Sequence, residues 1–274
     1  MSTETELSVG PRRLHRAFTD RKGQAALMPY LMGGFPTVEG SLEIARVYAE
    51  HADLVEVGVP FSDPLADGPA IQAAGQHALE AGATLEAVLD EVAAPLAQSV
   101  PAVVMCYANP ILTRGFERVA RALAERGIAG LIVPDMPSVE AGELRAACDA
   151  AGVALVPLVA PTTPKDELAA ISASARGFVY VVSVTGVTGE RAELPPELRR
   201  VVREVQGAAP VPAAVGFGIG TPAQAAAVAE IADGVIIGSR LVREIAEAPS
   251  LRDGLAGVER FLAETSDALR LRAG

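Results

Sequence analysis

The sequence predicts an α/β protein, a single-domain (β/α)8 TIM barrel over residues 1–274, from three observations. Eight short, β-branched apolar runs recur along the chain, stretches with helical spacing lie between them, and no Pro/Gly linker or composition break separates two halves. An open doubly wound sheet is the competing arrangement, but no G-x-G-x-x-G follows the first apolar run to mark its switch point.

Taken in order, the strand candidates are AALMPYLM, LVEVGV, AVVMCY, GLIVPD, VALVPLV, FVYVVSV, VPAAVGFG and GVIIG. The intervening segments SLEIARVYAEH, FERVARALAERG, EAGELRAACDAAG and PELRRVVREVQG repeat apolar residues every three to four positions, as helices that bury one face do. Thr221-Pro222-Ala223-Gln224 reads as a helix start, with a hydroxyl cap, a proline in the first turn and a capping-box glutamine; Thr163-Pro164 repeats its beginning. Gly127 and Gly152 mark helix ends. An N-terminal helix around Arg12 to Lys22 and a long C-terminal one from Leu251 to Leu269 are expected to pack outside the barrel.

Composition narrows the function. The chain has 274 residues, 50% of them hydrophobic and 21% charged, which suits a folded globular protein. A formal net charge of -11 gives no general attraction for nucleic acid or an anionic membrane, so neither is expected as a partner. Cys106 and Cys148 are too few for a disulfide framework, and the polar, acidic first ten residues do not read as a secretory signal; a cytoplasmic location is expected.

In a barrel of this kind, chemistry sits where strands end and βα loops begin. Side chains alternate along a strand, so if Val55 and Val57 face the helices, Leu54, Glu56 and Gly58 face the barrel interior. No lysine or arginine on a strand is placed to neutralise Glu56. A carboxyl held in an apolar pocket without a cation resists ionisation, and the raised pKa suits proton transfer near neutrality. The loop that follows, VPFSDPLADGP, carries Asp63 and Asp67, each either a turn-forming loop acid or a second acid–base group. Tyr30, Tyr107 and Tyr180 fall at strand ends, where three phenols suit a flat apolar substrate.

The loops after strands 7 and 8, GFGIGTP and IIGSR, hold glycines at the barrel's usual phosphate position, and Ser239 opens a helix whose free amides favour an anion. A third loop, SVTGVTGER, could cover the site. Lys22 and Lys165 are the only lysines and neither ends a strand, so a Schiff-base mechanism is not expected. His15, His51 and His77 fall in helical segments or ahead of a strand, so no histidine metal site is expected.

These motifs carry a resemblance. From ALMPYLMGGFP through EVGVPFSDPLADGPAIQ, MCYANPI, VPDMP, SVTGVTG and GFGI to IIGSR, the chain resembles the tryptophan synthase α-subunit family. The resemblance implies retro-aldol cleavage of indole-3-glycerol phosphate to indole and glyceraldehyde 3-phosphate, with no cofactor. It implies that Glu56 donates the proton to C3 of the indole and acts as base on the glycerol hydroxyl, that Asp67 accepts the indole N–H, and that Tyr180 assists. Thr188 would bond Asp67 when the loop closes, Tyr30 and Tyr107 would contact the indole, and Gly189, Gly218, Gly238 and Ser239 would hold the phosphate. A pyridoxal-phosphate β subunit is the implied partner, in an α2β2 assembly, with ADGPAIQ and its neighbouring loop in the interface. Met32 and Phe35 stand where better-studied bacterial relatives carry a polar TLGDP, and Val184 stands where some carry arginine; these departures are expected in loops at the mouth.

Overall fold

The computed structural model describes residues 8–21, 23–182, 194–216 and 218–270. Its strands are β1 (Ala26–Met32), β2 (Val55–Gly58), β3 (Ala102–Met105), β4 (Gly130–Ile132), β5 (Ala154–Leu155), β6 (Leu158–Val159), β7 (Val179–Val182), β8 (Ala213–Gly216) and β9 (Gly234–Ile237). All pair in parallel, in the order β5-β4-β3-β2-β1-β9-β8-β7-β6. The two ends of that order meet because β5 runs on through Val156-Pro157 into β6, and the sheet curls into the expected barrel. The fifth apolar run, read from sequence as one strand, is therefore two. Its proline has no N–H to donate, so one continuous ladder cannot run through it.

The helices are α1 (Val9–Thr19), α2 (Val38–His51), α3 (Pro69–Glu80), α4 (Leu85–Ala87), α5 (Ala94–Ala97), α6 (Ala108–Leu112), α7 (Phe116–Glu125), α8 (Gly142–Ala151), α9 (Lys165–Ala173), α10 (Pro196–Ala208), α11 (Pro222–Ala229), α12 (Ser239–Glu247) and α13 (Leu251–Arg270), with a π-helical turn at Val88–Ala93 between α4 and α5. The cap at Thr221 forms: its Oγ1 accepts the Gln224 N–H at 3.2 Å, while Gln224 Oε1 accepts the Gly220 N–H at 2.8 Å. Thr163 does something else. Its hydroxyl accepts the Ala160 N–H at 2.9 Å and closes the turn before α9 rather than capping the helix.

Two apolar clusters form. The larger lies between strands and helices and contains Val55 and Val57; the smaller fills the barrel and contains Met28, Leu54, Val103 and Phe178. The expected alternation is thus present. Helix α1 corrects the expectation that it packs outside, because Leu14 and Phe18 belong to the interior cluster and close the barrel floor. Phe18 fits there because Gly234 has no side chain; a Cβ on it would come within 2.6 Å of the ring. Burying each such side chain is worth roughly 1.5–3 kcal/mol. Helix α13 does lie outside, against α2, α11 and α12. Met32 departs from expectation as the last residue of β1, while Phe35 lies in the loop after it; both are buried in the outer core, and Phe35 meets the His77 ring edge-on at 5.4 Å. Their apolar character is explained by packing. Val184 lies outside the described residues.

Candidate active site

Glu56 is fully buried, and neither carboxyl oxygen has a hydrogen-bond partner among the described residues. Strand register sets it between Tyr30 on β1 and Val103 on β3. Burial, with the nearby Asp67 charge adding to it, raises its pKa to about 8. Loss of water disfavours the carboxylate, and a second negative charge disfavours it further. Asp67 is half-buried on the loop after β2. Burial raises its pKa to about 6, and a hydrogen bond from Tyr107 pulls the other way.

A cavity of about 540 Å³ at the C-terminal end of the barrel brings Glu56 and Asp67 together with Tyr30, Tyr180, Gly218, Gly238 and Ser239. Both phenols are held well above their ordinary pKa by burial and then by the neighbouring acids, so they stay protonated as donors. At the other end of the cavity, Gly218 adopts a left-handed conformation (φ 55°) and Gly238 precedes the first turn of α12. Amides in a first helical turn have no partner within the helix, so that end favours an anion.

Tyr107 is not in the cavity wall. Its hydroxyl accepts the Ala66 N–H at 3.1 Å and donates to the Asp67 carboxylate, while its ring stacks on Phe61 at 4.9 Å. The sequence placed it against the substrate; the structure places it behind Asp67. A strand-end position is visible in sequence, but the loop that folds back to meet it is not. Asp63 also stays out of the cavity: it is exposed and accepts from Ser62 Oγ, a local turn. Thr188 and Gly189 lie outside the described residues.

Two glycines have a role that sequence reasoning did not assign. A Cβ on Gly58 would come within 2.0 Å of Tyr30 Oη, and one on Gly216 within 2.6 Å of Tyr180 Oη. Each glycine, the last residue of its strand, leaves the slot in which a phenol rests. The available signal was their shared place in VEVG and AAVG.

Comparison with known proteins agrees. The family model for the tryptophan synthase alpha chain matches residues 17–270. The tryptophan synthase alpha chain of Carboxydothermus hydrogenoformans is 48% identical over 85% of this chain and 89% of that one; that of Caulobacter sp. strain K31 is 43% identical over 93% and 94%. A solved structure of Mycobacterium tuberculosis tryptophan synthase superposes with a TM-score of 0.86 at 36% identity, covering 97% of this chain and 99% of the other. A structure of the tryptophan synthase α2β2 complex of Pyrococcus furiosus superposes with a TM-score of 0.82 at 33% identity, covering 88% and 98%. By its fold, the grouping of its acids and these likenesses, the chain belongs to the tryptophan synthase alpha chain family.

Proposed function

We propose that this chain, acting as one domain, cleaves indole-3-glycerol phosphate to indole and glyceraldehyde 3-phosphate as the alpha subunit of tryptophan synthase. The observation that carries this reading is the pairing of Glu56, protonated up to about pH 8, with Asp67, ionised above about pH 6, in one cavity with an anion-binding end.

The neutral Glu56 carboxyl protonates C3 of the indole, and the ring nitrogen takes up positive character. Asp67 accepts the N–H and offsets that charge. Glu56, now a carboxylate, takes the proton of the glycerol hydroxyl as the C–C bond breaks; its electron pair restores the aromatic indole and the hydroxyl carbon becomes the aldehyde. One residue gives and then regains one proton, and the reading uses no group beyond substrate and side chains. Tyr30 and Tyr180 flank the ring, and amides near Gly218, Gly238 and Ser239 hold the phosphate.

A β-subunit partner is supported by exposed apolar residues at the open end. Leu65 is 93% exposed, Leu112 56% and Val139 83%, and they sit on the connections after β2, β3 and β4. All three connections lie at the C-terminal ends of their strands, the face that carries the catalytic cavity and on which a partner would dock. No helix among the described residues is long and apolar enough to cross a membrane, and we place the protein in the cytoplasm.

The test is indole release by the purified chain, alone and with a β subunit. We expect activity that rises on adding the partner, and a loss in Glu56→Gln at or beyond the ~10²- to 10⁴-fold typical of one acid–base group, with substrate still bound. Turnover by Glu56→Gln close to that of the parent would remove the proton carrier and the reading with it.

A further inference from the structure

Among the described residues the barrel has one seam. β5 pairs only with β4 and β6 only with β7, and the helices on either side diverge: α8 packs on α7, α9 packs on α10, and α8 and α9 barely touch each other. The gap holds a cavity of about 350 Å³, separate from the catalytic one. Leu155, Val156 and Pro157 give it an apolar floor.

Charge at the rim is divided between the two helices. Arg145 on α8 lines the cavity half-buried, and its guanidinium has no hydrogen bond or ion pair among the described residues. Across the gap, Glu167 on α9 is likewise without an ion-pair partner. Asp135, the remaining acid in the lining, is engaged by the Ala108 N–H at 2.8 Å. A single available cation, a single available anion and an apolar floor complement a molecule with a carboxylate, an ammonium and an apolar group.

We propose that the seam is a second ligand site, for a compact apolar α-amino acid, with Arg145 receiving its carboxylate, Glu167 its ammonium and the floor its side chain. Pro134 and Leu158 border both this cavity and the catalytic one, so an occupant presses on the wall behind the substrate. The site acts on catalysis through that shared wall rather than by contact with substrate.

The test is calorimetric titration of the full chain with L-phenylalanine, with hydrocinnamate and phenethylamine as probes lacking one charge each. We expect saturable one-to-one binding of L-phenylalanine, weaker binding of both analogues, and about a tenfold loss in Arg145→Met and in Glu167→Gln, as for hydrogen bonds to charged groups. Ala141→Leu, which fills the cavity from the start of α8, abolishes binding and gives an independent answer should Arg145→Met fail to fold. Absence of saturation at millimolar concentration, equal affinity for hydrocinnamate, or strictly competitive displacement of the probe by glyceraldehyde 3-phosphate, without the plateau that coupling between two separate sites gives, would each overturn the proposal.

Discussion

Replacing Glu56 with glutamine should stabilise the protein as it removes activity, and the gain should grow with pH. Glu56 ionises near 4.5 in the unfolded chain and near 8 in the fold. The folded state therefore holds a proton that the unfolded state releases, so this residue's contribution worsens as pH rises from about 4.5 and levels off above about 8. With 1.36 kcal/mol for each pKa unit, the cost is about 1 kcal/mol at pH 5 and about 4 kcal/mol at pH 8. Glutamine carries its own unbonded amide, a penalty that does not vary with pH. The difference between the two conditions therefore isolates ionisation. Urea unfolding of parent and Glu56→Gln at pH 5 and pH 8 should show the variant gaining about 3 kcal/mol between them. A stability difference that stays flat between pH 5 and pH 8 would refute a buried, uncompensated carboxyl.

The same two groups set the rate profile. Cleavage needs Asp67 ionised and Glu56 protonated, so kcat/KM should be bell-shaped with limbs near 6 and 8 that belong to the coupled pair of the free enzyme; a kcat/KM rising monotonically to pH 9 contradicts the assignment. Asp67→Asn should lower kcat and, by removing a neighbouring charge that raises Glu56, move the alkaline limb down; an unmoved limb would show that the two acids do not interact. Tyr107→Phe keeps the stack on Phe61 but removes the hydrogen bond that lowers the Asp67 pKa, so the acid limb should move up at little cost in KM. In Gly58→Ala the new methyl meets the Tyr30 hydroxyl, and a thermal melt should show a loss of about 1–3 kcal/mol, the usual cost of overpacking. An unchanged melting temperature would mean that the phenol has another place to rest.

What was legible in the sequence is what local pattern encodes. Strand alternation put Glu56 inside and Val55 and Val57 outside, and the Thr221 cap is a matter of four consecutive residues. The glycines after strands 7 and 8 stood out because barrel order predicts where they fall. What was not legible depends on distant parts of the chain meeting. Tyr107 turned from a substrate contact into a support for Asp67 because the loop after β2 folds back onto it. Helix α1 moved from the outside to the floor because glycine at 234, far along the chain, makes room for Phe18. Pro157 was visible, but an apolar run reads the same whether its ladder is continuous or changes partner midway.

The seating of α1 also bears on the order of assembly. Leu14 and Phe18 rest against a surface built from Met28, Leu54, Val103, Phe178 and Ile236, side chains contributed from almost the full length of the polypeptide. Helix α1 has no complete berth until β9, far later in the chain, has been made. A segment made before β1 is thus buried only after β9 has emerged, so the apolar face of α1 lacks its native cover while most of the barrel is being made.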